Sequence, residues 1–402
     1  MHFHFHLAVQ ASLALVLAPS LILALALPQS TDASGGNKDV AYGFATGVTG
    51  GGDTAGAAPK DITELQEWLA DEKPRVILID KTFDFTGSEG SASEAGCYKS
   101  DCPLNQGGQS YIGTLSCGGS GMTSTTVKYD KAGSDALIVA SDKTLLGVGA
   151  KGVLIGKGLK LPQTTKNVII RNIHITDINP HAVWGGEALF LDGNDGVWVD
   201  HNKFSKISRM FIFSAYNPVR VTISNNEFDG TTTTSATCNK EHYWGAMFGT
   251  EGDQITFDQN YWHDISGRSP KLGGSEGGKS TTQATNNLFE DSEGHSFEIY
   301  PGASILIEGN QFVNVKYPIG PGAEKVDTIY NVPDAASASA CSSTLGRACV
   351  MNAFTNSPGK WPSLKATAVL NTFKAVSKYL VAPYDVKSVQ SRVKANAGVG
   401  KI

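Results

Sequence analysis

The chain has 402 residues, a formal net charge of −5 and 18% charged residues, below the roughly 25% usual for soluble domains, while its 45 glycines exceed the usual share of about 7%. A modest negative charge argues against a nucleic-acid binder, which would carry a basic stripe, but leaves room for a local basic cleft. Length alone permits two or three average domains or one long repetitive all-β unit.

Residues 1–28 contain no Asp, Glu, Lys or Arg and end with small residues at Ala24 and Ala26. They read as a secretory signal peptide, with His in place of the usual Lys or Arg at its start, and a membrane anchor is the competing reading. Pro19, Pro28 and the Gly/Ser/Asp-rich stretch that follows favour cleavage, leaving residues 29–402 as a single secreted domain. No later stretch is apolar enough to span a bilayer. Six cysteines form an even set, as a secreted chain with three disulfides would have, and no CxxC pair suggests zinc.

Residues 61–70, DITELQEWLA, have helical spacing behind a capping Asp61 and are expected to cover one end of the fold. Residues 86–130, rich in Gly, Ser and Cys, are expected to form a stapled loop. From Asn167 to Val315 one pattern recurs: two apolar residues in alternation, then Asn, then a large apolar residue. It appears as VWVDHNKF, VTISNNEF, ITFDQNYW, the weaker TQATNNLF, and ILIEGNQF, with Asn202, Asn226, Asn260, Asn287 and Asn310 at intervals of 24, 34, 27 and 23. NVIIRNIHI carries its Asn one place sooner.

Alternation over so few residues means a half-buried strand, and repeats of this length mean stacked units. The expectation is an all-β, single-stranded parallel β-helix, clearest over 137–315. Val197, Val221, Ile255 and Ile305 would share one interior file, and the Asn residues would form a corner ladder. A uniform core extrudes its extra residues as loops. Residues 229–253 and the segment SGRSPKLGG (266–274) leave consecutive coils and should build one cleft, whose floor carries Arg268 and Lys271. Trp262 belongs to the coil wall. Beyond about residue 325 the repeat fades into a partly helical tail that packs on the coils.

VWVDHNKF, GVTGGG (47–52), VWGGEALFLD (183–192) and SGRSPKLGG resemble the polysaccharide lyases of the pectate and pectin lyase superfamily, over about residues 41–357. ATCNKEHYWG, GHSFEI and the Cys341–Cys349 spacing resemble fungal pectin lyases more closely. The resemblance implies a right-handed parallel β-helix and cleavage of α-1,4-linked galacturonan by β-elimination. It implies that Arg268 is the catalytic arginine with Lys271 its neighbour, and disulfides Cys97–Cys117, Cys102–Cys238 and Cys341–Cys349.

The ionisation of the substrate separates the two branches of such a family. A free carboxylate beside C5 resists losing the C5 proton and needs Ca²⁺ held by carboxylates, whereas a methyl ester is already neutral and needs only donors for the developing enolate. The calcium-binding acids of pectate lyases align with Glu187, Arg209 and Phe213 here. One acid remains and a cation replaces another, so no metal or cofactor is expected, and Arg209 is expected to work beside Glu187, a position where pectin lyases usually carry Asp. Either Arg268, depressed by neighbouring cations, or Lys271 can be the proton acceptor.

Trp184, Tyr243 and Trp244 are candidates for stacking on the sugar rings of methyl-esterified pectin. Asp192 and Asp195 read as turn residues, and His201 and His295 as structural histidines. The sequence therefore points to an extracellular, monomeric pectin lyase with no nucleic-acid or membrane partner. A calcium-dependent pectate lyase, a hydrolase on the same fold and a non-catalytic carbohydrate-binding solenoid are the alternatives.

Overall fold

Period-two segments too short to bury a face alone stack instead, coil upon coil. The computed structural model describes residues 39–214, 216–274 and 279–402; the expected signal peptide lies outside them. Each coil contributes up to three short strands, and equivalent strands of successive coils pair in parallel. The result is the expected parallel β-helix.

Sheet A runs from Arg75–Ile79 through Asp195–Asp200 and Arg220–Ser224 to Ile329–Tyr330, nine strands in all. Sheet B includes His174–Ile178, Lys203–Ile207, Glu227–Asp229 and Tyr261–His263. Sheet C includes Leu189–Leu191, Ile212–Ser214, Ala246–Phe248 and Lys271–Leu272. B and C are continuous through the long strand Leu288–Ile299. Residues Val40–Ile402 form one compact unit.

The interior file is as expected: Val197, Val221, Ile255 and Ile305 are fully buried and in register, with Thr282 between the last two. At the corner between sheets A and B, each Asn Nδ2 donates to the Oδ1 of the next, from Asn202 to Asn226 (3.0 Å), Asn260 (3.0 Å), Asn287 (2.9 Å) and Asn310 (2.9 Å). The residue before each ladder Asn is left-handed: His201, Asn225, Gln259, Asn286 and Gly309 all have φ between 52° and 62°. That conformation turns the chain sharply and favours Gly and Asn.

This geometry explains the early Asn of NVIIRNIHI. Asn172 is the left-handed residue (φ 61°), not a ladder member. Ile173 takes the ladder place and donates its backbone N–H to Asn202 Oδ1 at 3.0 Å. Two positions after each Asn, Phe204, Phe228, Trp262, Phe289, Phe312 and Phe354 stack face to face along the inside of sheet B, with centroids 3.7–6.2 Å apart.

The repeat outlasts the expected fading at residue 325. Ile329–Tyr330 adds a rung to sheet A, and Asn352 extends the ladder, accepting from Asn310 Nδ2 at 3.0 Å. The 20 residues between Asn331 and Asn352, which hold the Cys341–Cys349 disulfide, break the spacing and hide that coil from the sequence. Residues 86–130 also differ from the expected loop: Ser91–Lys99 and Met122–Asp130 pair as antiparallel strands, beside Ser110–Ile112 and Ala182–Val183.

At the N-terminal end, the helix Ile62–Ala70 is capped by Asp61, whose Oδ1 accepts from Glu64 N at 2.9 Å, and it buries Leu65 and Leu69 in the solenoid core. The tail supplies helices Thr367–Ala375 and Val389–Asn396; the latter packs Val389 and Val393 on Leu288 of sheet B.

Candidate active site

Four insertions leave the solenoid at the junction between sheets B and C, whereas the 20 residues before Asn352 leave it between sheets A and B. Residues 85–136 follow the sheet B strand Thr82–Asp84, residues 179–188 follow His174–Ile178, residues 230–245 follow Glu227–Asp229, and residues 264–270 follow Tyr261–His263. Emerging from one edge, they must meet. Cys102–Cys238 ties the first to the third, and Gln109 donates to the carbonyls of Pro180 (2.8 Å) and Ser208 (3.1 Å) across them. All three disulfides have the expected pairings.

Two clusters of candidate residues line this edge. In the first, Arg209 Nε donates to Glu187 Oε1 at 2.6 Å, and Nη2 reaches the same oxygen. The guanidinium lies between the rings of Trp184 (4.3 Å) and Phe213 (4.6 Å). Burial raises the Glu187 pKa and the adjacent Arg209 charge opposes it. The three positions aligned with calcium ligands thus hold one carboxylate already engaged by a guanidinium, the guanidinium itself, and an apolar ring packed on it. Hard oxygen donors in number are what Ca²⁺ requires, and this set does not fit.

In the second cluster, Arg268 sits in a left-handed turn (φ 51°). Its guanidinium lies 4.8 Å from the Trp244 ring centroid and 5.7 Å from that of Tyr243. Its Nε makes no hydrogen bond among the described residues, although Glu298 Oε2 is 3.7 Å away. Lys271 Nζ is 3.7 Å from Glu298 Oε1 and 4.6 Å from the Tyr300 ring centroid. Burial first, and the Arg268 charge second, pull the Lys271 pKa below the ordinary lysine value, against Glu298. A Cβ on Gly245 would lie 2.2 Å from the Arg268 carbonyl oxygen, so only glycine lets this turn pack where it does.

The two clusters lie two rungs apart on the same edge, since the strands that carry them are separated by Ala246–Phe248. At the strand spacing of about 4.8 Å that is roughly 10 Å along the axis. The edge thus carries an arginine whose Nε lacks a hydrogen-bond partner among the described residues, a lysine held below its ordinary pKa, and several aromatic rings.

A family model described as pectate lyase matches residues 10–211 and 213–402. The chain is 45% identical over 392 residues to a probable pectin lyase F-2 of Aspergillus terreus, covering 96% of this chain and 79% of the relative. It is 44% identical over 398 residues to a probable pectin lyase F of Aspergillus flavus, covering 96% and 89%. The chain belongs to the pectate lyase family. Among solved structures, a pectate lyase bound to a hexasaccharide is similar at a TM-score of 0.56 and 17% identity, covering 90% of this chain and 97% of that one. The pectate lyase of Acidovorax avenae subsp citrulli gives 0.52 and 16%, covering 96% and 99%. At those identities the likeness is one of fold.

Within this lyase fold, each of the three expected sugar-stacking residues packs on an arginine, Trp184 on Arg209 and the other two on Arg268. Tyr243 and Trp244 pack on Arg268, and Trp244 Nε1 donates to Gln109 Oε1 at 3.0 Å. Trp184 remains 36% exposed, with its indole N–H on Ser116 Oγ. His295, expected to be structural, borders the second cluster, its Nε2 3.1 Å from Glu298 Oε2. His201 is buried against Asp200 (2.6 Å); Asp192 accepts from Asn217 in a bend, whereas Asp195, expected in a turn, opens the sheet A strand and accepts from Arg220.

Two residues of the edge went unnoticed in the sequence. Glu298 is one: SFEI alternates, with Phe297 and Ile299 buried, so Glu298 faces outward beside Lys271, its register partner. Burial would raise its pKa, but the His295 hydrogen bond and the Arg268 and Lys271 charges hold it below the usual carboxylate value. His242 is the other. It is buried, and burial lowers its pKa to about 4; as a neutral ring it bridges the carbonyls of Arg209 (2.7 Å) and Trp244 (3.1 Å) and so locks the two clusters together. Elsewhere, on sheet B, Glu227, Asp229 and His263 have metal-ligand proximity, yet Lys203 Nζ lies 2.7 and 2.9 Å from the two carboxylates and takes the place of a cation.

Proposed function

We propose that this chain is a secreted pectin lyase that cleaves α-1,4-linked methyl-esterified galacturonan within the polymer by β-elimination. The observation that carries this is the Arg209–Glu187 pair, which occupies the aligned calcium positions two rungs from Arg268 and Lys271. A neutral ester needs positive donors and no metal, and this edge supplies donors.

In the reaction, the C5 proton passes to the Arg268–Lys271 pair. The C5–H electrons form the C4=C5 double bond, the C4–O4 bond breaks, and O4 leaves with its electron pair and is protonated. Charge that develops on the ester carbonyl oxygen is met by the Arg268 guanidinium. Lys271, depressed by burial and by Arg268, is closer than an ordinary lysine to the pKa of a working base. Arg209 supplies a second fixed positive field, held by Glu187. Three disulfides support an oxidising, extracellular location.

Highly esterified and de-esterified pectin, each with and without EDTA, test this. Unsaturated product from the esterified polymer, unaffected by chelator, is expected. Chelator-abolished activity on the de-esterified polymer would mean a calcium-dependent lyase. New reducing ends without unsaturation would mean a hydrolase. Cleavage that survives Arg268→Ala undiminished would remove the assigned centre.

A further inference from the structure

The outward file of sheet C departs from the usual alternation, in which solvent-facing strand positions are polar. In register along the axis stand Ile138, Lys160, Phe190, Phe213, Met247, Lys271 and Glu298. The corresponding file of sheet B reads Ser205, Asp229, His263 and Glu290. Between Lys160 and Lys271 the sheet C file holds two aromatic rings and a methionine and no carboxylate. Tyr216, 67% exposed in the following turn, completes a three-ring cluster: Phe190 to Phe213 is 5.3 Å, and Tyr216 lies 5.9 Å from each. Arg209 joins the cluster to the first site through Phe213, and Lys160 closes its far end, 5.1 Å from the Phe190 ring.

We infer that Phe190 and Tyr216, seated on the buried Phe213 ring (7% exposed), form a binding platform for the part of the polymer remote from the scission point, and that it selects residues whose carboxyl groups are methyl-esterified. This rests on the proposed lyase function. The occupant follows from continuity and charge. The platform lies in the same file as Lys271, two to three rungs away, roughly 10–14 Å at the strand spacing, so a chain bound across Lys271 and continued along the axis crosses it. Sugar rings and ester methyls lose little by leaving water for aromatic faces, whereas an unpaired carboxylate loses its hydration.

Tyr216→Ala, Phe190→Ser and the double variant test the platform on fully methylated oligogalacturonates of two lengths and on polymers of graded esterification. For the double variant the long oligomer should show a KM raised about tenfold, the scale of one lost stacking contact, with kcat changed less than about twofold. The shortest cleavable oligomer should be unaffected, and the preference for fully over half-esterified polymer should shrink by the same factor. An unchanged long-oligomer KM, or equal losses on short and long oligomers, would overturn the platform while leaving the lyase intact. A wild-type chain that releases no unsaturated product would overturn the lyase reading itself, and the platform with it.

Discussion

Glu298 and Lys271 are direct partners on neighbouring rungs of sheet C, with Oε1 3.7 Å from Nζ, and the same carboxylate reaches Arg268 Nε and His295 Nε2 through its other oxygen. One anion therefore sets the charge balance of the proposed proton-accepting pair. Glu298→Gln keeps the shape and removes the charge that holds Lys271 up. The pH–rate limb that reports Lys271 should move to lower pH, and kcat should fall by roughly one to two orders of magnitude, as for loss of a general acid–base contribution; Glu298→Asp should recover part of both. A limb that stays in place would show that Lys271 does not ionise in the step.

Gly245 gives a purely steric test of the same turn. A methyl group there would sit 2.2 Å from the Arg268 carbonyl oxygen, so Gly245→Ala must displace the Arg268 backbone. A shift of about 1 Å in a catalytic group can cost about a hundredfold. Turnover on esterified pectin should fall on that scale, with circular dichroism showing the β-helix retained.

Thr282 is the weak link of the interior file. It is fully buried between Ile255 and Ile305, and its hydroxyl has no hydrogen-bond partner among the described residues. Thr282→Val keeps the volume and removes an unsatisfied buried group, which otherwise costs about 1–3 kcal/mol. The variant should unfold at a higher midpoint, measured by denaturant titration, and an unchanged or lower midpoint would count against an unsatisfied hydroxyl there.

Stability should fall on the alkaline side. Burial works against the His263 charge, but Asp264 (2.8 Å) and Glu227 (3.4 Å) outweigh it and raise its pKa to about 9. A raised histidine stabilises fully below its unfolded value near 6.5 and loses that contribution as pH climbs through 9. Glu241 and Asp253, raised by burial to about 7, act with the same sign between their unfolded values near 4 and pH 7. Asp200, which burial would raise but His201 and Arg171 hold down to about 2, matters only in strong acid. His242, which burial lowers to about 4, acts with the opposite sign up to about pH 6.5, so the decline in melting temperature should be clear from pH 6.5 to pH 9, and His263→Gln should flatten it.

The sequence alone determined the solenoid, because its cause is local and periodic. A strand of four or five residues, a left-handed residue, an Asn and a large ring recur on successive coils from Asn202 onward, and each element interacts with its copy one turn away. Arg268, Lys271, Glu187 and Arg209 were visible through the motifs VWGGEALFLD and SGRSPKLGG and the alignment of neighbouring coils, which resemble those of the lyase family. Only the tertiary structure decided what surrounds them. Insertions of unequal length converge on one edge, and which side chains they bring together depends on loop paths that have no period. Glu298 across from Lys271, His242 between the two clusters, Tyr243 and Trp244 turned to Arg268 and the outward file of rings on sheet C are all contacts between residues far apart in the chain, where spacing carries no information.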